Sequence, residues 1–183
     1  SMPAATPPNL IPSPHSGLES GILSFDHTGE TIGPALGCRA FAETQAAKAG
    51  SVHVAAGRST FELRNCTIAG ARFHARIEYL GESLQRIDLM MLSGRDGASW
   101  ADWTRANEMA RKRAHESWAA AAIGRELLLK PYLMPEPIIP FDAGEDHPRH
   151  AVFPWGELLS FYDSKGGASY LSLCYGVKPT PEE

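Results

Sequence analysis

Hydrophobic and polar residues alternate most cleanly over Ala71–Leu80, where Phe73, Ala75, Ile77 and Tyr79 fall on one side and Arg72, His74, Arg76 and Glu78 on the other. A period of two is the signature of a strand with one buried and one wet face. The flanking segments repeat it: residues 60–67 set Phe61 and Leu63 together, and residues 84–92 set Ile87, Leu89 and Met91 together. Gly70 and the Gly81-Glu82-Ser83 step separate the three, and connections that short predict antiparallel hairpins, hence a three-stranded meander. Upstream, residues 21–26 and 51–56 read as short strands, the second alternating Val52 and Val54 against His53. The helix-favouring run FAETQAAKAG predicts a short helix near 39–48, closed by Gly50.

The period then lengthens to 3.6. Ser99-Trp100-Ala101-Asp102 has the spacing of a capping box, and no Pro or Gly follows until Gly124, which predicts one long helix opening at Ser99. On a helical wheel Trp100, Trp103, Ala106, Asn107, Ala110, Ala114, Ser117, Trp118 and Ala121 share the face expected to meet the sheet. Arg105, Glu108, Lys112 and Glu116 share the face expected to meet water. Glu108 and Lys112 form an i,i+4 pair in the favourable order, worth about 0.2–0.5 kcal/mol on a solvated helix. Residues 127–129 are expected to turn back onto the core. Residues 131–154 combine several prolines with the acidic stretch FDAGEDHPRH and predict a long loop without regular structure. Residues 155–163 and 168–175, around Ser164-Lys165-Gly166-Gly167, predict a terminal hairpin completing the sheet. The expected fold is therefore α+β, an antiparallel β-sheet built from the meander and the C-terminal hairpin and packed against one long α-helix. A disordered Pro-rich arm over 1–20, a single domain over 21–176 and a disordered tail over 177–183 complete the expected organisation.

Composition narrows the class. A length of 183 residues, 43% hydrophobic and 21% charged, suits one globular domain. The net charge of −4 with interspersed signs offers no broad cationic field for phosphate backbones, so nucleic acid is not an expected partner. No apolar run approaches the roughly 20 residues that cross a bilayer, and the N-terminus lacks the basic flank and apolar core of a secretory signal. A cytoplasmic location without membrane contact is the expectation. Cys38, Cys66 and Cys174 lie far apart and are odd in number, which argues for reduced, buried thiols rather than a disulfide framework or thiolate zinc site.

No motif names a reaction. His74, on the polar side of a strand, and His115, on the flank of the helix, are expected at the surface. His147 and His150, with Asp142, Glu145 and Asp146 nearby, are the best metal-ligand candidates, since imidazole and carboxylate groups in one loop can converge on Zn²⁺ or Mn²⁺. H-x-x-H in a proline-rich loop fixes no common face, however, and an acidic solvated loop is the favoured reading of it. G-x-S-x-G is absent, and Gly94-Arg95-Asp96-Gly97 lacks the Lys-Ser/Thr of a phosphate loop. Cys66 and Cys174 on strands suit structural thiols, while Trp100, Trp103, Trp118 and Trp155 suit the core. No cofactor is expected.

The segment Ser99-Trp100-x-Asp102-Trp103 with Glu108, Arg111 and His115-x-x-Trp118, then Phe153-Pro154-Trp155-Gly156-x-x-x-Ser160-x-Tyr162-Asp163-x-Lys165-Gly166-Gly167, resembles a group of small bacterial proteins sharing an sWxdW helix and a WGxxxSxYDxKGG hairpin. That group is associated with immunity partners of contact-delivered toxins. The resemblance implies a non-catalytic intracellular binding protein that neutralises a cognate toxin by direct contact. Asp142, Glu145, Asp146, Trp155, Tyr162, Asp163 and Lys165 are the candidate contact residues, the acidic ones suited to a basic cleft. A metal-dependent enzyme using His147 and His150, or a secretion chaperone or adaptor holding an extended segment, are the alternatives.

Overall fold

A computed structural model describes residues 17–92, 103–133 and 135–176. The predicted arm up to Ser16, the Ser99 capping box, Trp100, the turn over 94–97 and the tail over 177–183 lie outside the described residues. Leu18, in a 3-10 turn Leu18–Ser20, is already buried in the core. A small ribbon of β1 (Leu23–Ser24) and β2 (Thr31–Ile32) follows. The short helix is two pieces, α1 (Cys38–Ala42) and α2 (Gln45–Lys48). They are split because Thr44 adopts extended backbone and caps α2 through Ala47 N–H.

The meander is as patterned and one strand longer: β3 (Ser51–Ala55), β4 (Arg58–Ile68), β5 (Ala71–Leu80) and β6 (Ser83–Met91), each antiparallel to the next. Two-residue turns at Ala56-Gly57 and Ala69-Gly70 place both central residues at positive φ, the geometry that matches strand twist. Phe61, Leu63, Phe73, Ala75, Ile77, Tyr79, Ile87 and Leu89 are all buried on one face. A register shift between Leu63 and Cys66 keeps Cys66 and Ile68 on that face. The aromatic seed is Phe41 edge-on to Phe61 at 4.9 Å and stacked on Tyr79 at 6.1 Å, so α1 lies on the same side.

After α3 (Arg105–Ile123) come β7 (Leu128–Leu129), β8 (Arg149–Phe153), β9 (Gly156–Asp163) and β10 (Ala168–Tyr175). They join the meander in one antiparallel sheet of order β3-β4-β5-β6-β10-β9-β8-β7. The terminal hairpin thus sits in the middle of the sheet, with β10 on β6. Strand β8 corrects the expectation of an irregular segment up to 154, since Ala151 and Phe153 are buried opposite Leu158 and Gly156.

Helix α3 overturns two expectations. Thr104 is extended and accepts Asn107 N–H at 3.0 Å, so it is the N-cap and the helix opens at Arg105 rather than Ser99. Trp103 therefore precedes the helix and is 41% exposed instead of core. The wheel is also largely rotated: the sheet-facing side carries Glu108, Met109, Lys112, His115, Trp118, Ala119, Ala122 and Ile123, while Ala106, Asn107, Ala110 and Ser117 are exposed; Trp118 in the core and Arg105 in solvent are as expected. Glu108, Lys112 and Glu116, assigned to water, are held because each finds a partner within the seam. Glu108 pairs with Arg111 and accepts Ser169 N–H at 2.7 Å, and Ser169 Oγ donates to the Glu108 carbonyl at 2.9 Å. Lys112 Nζ lies 2.7 Å from Glu116 Oε2, which also accepts Ser160 Oγ–H at 2.7 Å. A buried polar side chain costs little once its donors and acceptors are satisfied, so apolar periodicity was no guide to which face would be covered.

His115 is likewise corrected from surface to core. It is fully buried, its Nε2 accepts Met91 N–H at 2.9 Å, and its ring lies 6.5 Å from Phe73. Burial, then the nearby Arg111 and Lys112 cations, push its pKa down to about 3 and keep the imidazole neutral. Among the described residues no helix is long and apolar enough to cross a membrane.

Candidate partner-binding surface

Between β7 and β8 the chain leaves the sheet over residues 130–148. Lys130 N–H donates to the Pro148 carbonyl at 2.8 Å and closes the neck. Tyr132 and Ile138 exchange both backbone hydrogen bonds, at 2.7 and 2.8 Å, forming a miniature antiparallel bridge whose tip contains Pro135, Glu136 and Pro137. With Pro140 as well, several φ angles are fixed by proline rings, so the excursion loses little backbone entropy on holding one shape.

What it holds outward is apolar. Tyr132, Leu133, Ile138, Ile139 and Phe141 are all exposed, and Phe141 at 103% stands as free of neighbours as in an extended peptide. Single exposed apolar residues are ordinary; five within ten residues of one braced segment make it a candidate interaction surface.

Two acidic residues of the same loop are engaged within the chain. Asp146 lies 3.0 Å from Arg105 Nη2 and Glu145 lies 2.6 Å from Arg113 Nη1. Arg105 and Arg113 are two turns apart on the solvent side of α3, so the two pairs lay the loop across the helix. His147 is buried, 2.7 Å from the Lys130 carbonyl and edge-on to Tyr132 at 5.3 Å. Asp142 is exposed beside Phe141.

Tyr162, Asp163 and Lys165 come to the same end of the sheet as this loop, because Arg149 is in register with Ser160. Arg105 bridges the two parts, with its guanidinium 5.8 Å over the Tyr162 ring. Asp163 accepts Lys165 N–H at 3.0 Å and so shapes the turn, while Lys165 is exposed. Trp103 donates its indole N–H to the Gly167 carbonyl at this end too. Trp155 is not part of the group. Seven residues of β9 separate its end of the sheet from Asp163, about 23 Å at the usual strand rise. There it packs 5.4 Å from Phe153 and 5.0 Å from Tyr175 and donates Nε1–H to the Leu18 carbonyl, a bracket for the N-terminal turn.

His150 does not share a site with His147. It is buried on the opposite face of the sheet from α3, with Nδ1 3.7 Å from Glu157 Oε1, an ion-pair rather than hydrogen-bond distance. Lys130 Nζ closes on the same oxygen at 2.6 Å. Burial raises the Glu157 pKa, but His150 and the Lys130 ammonium outweigh it and leave the carboxyl below its ordinary value. Among the described residues no group of three or more His, Cys, Asp or Glu side chains is placed to hold a metal ion. The polar groups of the α3 seam bond one another, with Ser160 and Ser169 fully buried and Glu116 and Arg111 mostly buried.

Residues 132–141 carry no helix or strand period and run directly into the acidic stretch FDAGEDHPRH, so the sequence pattern did not single them out. The signal was there in YL and IIPF, five large apolar residues packed between prolines in a segment with no strand or helix period to bury them. No protein-family model, curated protein or solved structure matches the chain.

Proposed function

We propose that the protein is a non-catalytic binding protein that receives a folded protein partner on residues 132–141, and that it serves as an immunity protein, neutralising a bacterial toxin by covering it. The single observation that carries the reading is the exposed apolar segment, braced by prolines and by the Arg105–Asp146 and Arg113–Glu145 pairs rather than left loose. A pre-shaped apolar projection binds without a large ordering cost, and an aromatic at its end supplies the kind of anchor that dominates interfaces. The immunity role rests on the resemblance of the helix and hairpin motifs. Under this reading the acidic residues position the loop and the apolar ones make the contact.

Affinity capture from a lysate of the source organism tests it, comparing the wild-type chain with Ile138→Ala/Phe141→Ala and with Asp142→Lys. One folded partner should be retained stoichiometrically by the wild type and by Asp142→Lys and lost by the double variant. Co-expression should then relieve the toxicity of that partner. Equal retention by the double variant would remove the segment from the interface, and a non-toxic partner would remove the immunity role.

A further inference from the structure

Strand β3 is an outer edge of the sheet, paired with β4 on one side only among the described residues. Its sequence, Ser51-Val52-His53-Val54-Ala55, contains no charge, no proline and no bulge, the devices that ordinarily keep an edge from pairing with another strand. Every residue of it is exposed, Val52 at 55% and Val54 at 67%.

The hairpin geometry fixes which backbone groups are free. A two-residue turn at Ala56-Gly57 makes Ala55 and Arg58 the closing hydrogen-bonded pair, so by alternation His53 and Ser51 also point their N–H and C=O groups inward to β4. Val52 and Val54 therefore point theirs outward. In an antiparallel pairing of β3 with itself about a two-fold axis at His53, Val52 of one copy meets Val54 of the other, and the converse. Both are the outward-bonding residues, so about four backbone hydrogen bonds form with no shift of register. The same register sets valine on valine on one face and His53 on His53 on the other, with no ionic group left unmatched.

From this self-complementarity we infer that the protein self-associates edge to edge through β3, two copies continuing one sheet across a two-fold axis. Closed two-fold pairing of identical patches is the usual form of a small oligomer. A five-residue strand pair falls below the standard interface size, so the association is weak and concentration-dependent. It leaves the loop over 130–148 free, because seven strand spacings, about 34 Å along the sheet, separate β3 from β7. The dimer would present two partner-binding loops.

Sedimentation of the full chain from about 10 µM to about 1 mM reads the association directly, and that range spans weak affinities. The mean mass should climb towards the dimer for the wild type and stay monomeric for Val54→Lys, an exposed position where a charge disturbs no core. His53→Cys gives a second readout. At a non-hydrogen-bonded pair on the axis, Cα atoms stand about 4.5 Å apart, within disulfide reach, so this variant should cross-link at least ~10-fold faster than Thr28→Cys, at another exposed position. A monomer across the whole range overturns the inference, as does a dimer that Val54→Lys leaves intact or cross-linking no faster than the Thr28 control. A monomer whose β3 amide signals shift on adding an extended valine-rich peptide overturns it in favour of strand capture.

Discussion

Acidification should destabilise this protein through His115 before its carboxylates protonate. The imidazole is fully buried and accepts the Met91 N–H on Nε2, so protonation removes that acceptor and places a cation beside Arg111 and Lys112. The folded-state pKa of about 3 lies well below the ordinary 6.5, so the unfolded chain binds the proton more readily than the native one. Stability from this group is complete above pH 6.5, declines as pH falls through that value, and is exhausted near pH 3. The slope over that window is about 1.4 kcal/mol per pH unit, or about 2 kcal/mol lost between pH 7 and pH 5. Urea unfolding at pH 7, 6, 5.5 and 5 measures it, with Trp118, edge-on to Phe73 at 5.0 Å, as a core probe. His115→Gln keeps an acceptor for Met91 N–H but cannot titrate, so its stability should fall less steeply than that of the wild type over this range. Parallel decline of the two proteins, or an imidazole titrating near 6.5 by NMR, would refute a neutral buried His115.

Three further outcomes follow from other parts of the fold. Gly156→Ala should cost about 3 kcal/mol or more by urea unfolding, because φ is +149° there and an added Cβ would meet the Cys174 carbonyl at 2.0 Å. Lys112→Met should cost about 3 kcal/mol by leaving Glu116 enclosed without its main counter-charge, while Lys112→Met/Glu116→Gln, which still accepts from Ser160, should recover most of it; no recovery would mean that the pair is not coupled. Partner capture should persist in about 0.5 M salt, where exposed ion pairs are screened, and a collapse of binding there would return the contact to the acidic residues.

The strands were legible because burial on one face of a sheet writes itself as a period of two, and β5 obeys it residue by residue. The presence of α3 and its end at Gly124 were legible from the missing Pro and Gly, but its orientation was not. A wheel ranks faces by apolarity, and here Ala106 and Ala110 face water while Glu108, Lys112 and Glu116 face a sheet whose Ser160 and Ser169 stand ready to bond two of them. Those serines lie 44 and 61 residues away in sequence, so the information that settles the face is long-range. The helix start failed for a related reason: two cap-competent residues, Ser99 and Thr104, precede the run, and spacing alone favoured the first. For the candidate surface, the sequence placed Glu145 and Asp146 in one loop but gave no sign of their ion pairs, since nothing in the local pattern announces that Arg105 and Arg113 come to meet them.

The magnitudes decide between acid and apolar contact on that loop. An exposed ion pair is worth about 0–1 kcal/mol, and Glu145 and Asp146 already have one each within the chain, so a basic partner would have to displace an arginine for nearly equal return. Burying one large side chain from full exposure is worth about 1.5–3 kcal/mol, and Phe141 starts from full exposure. Ile138, Tyr132 and Leu133, each at 57%, start more than half free. A partner that covers this segment therefore gains several kcal/mol of apolar transfer before any charge is counted, and the shape needed to receive it is held by Pro135, Pro137 and Pro140 and the Tyr132–Ile138 bridge in the unbound chain. The ion pairs on this face act inward, fixing the loop on α3, so under the proposed function specificity would follow from the contour of the apolar projection.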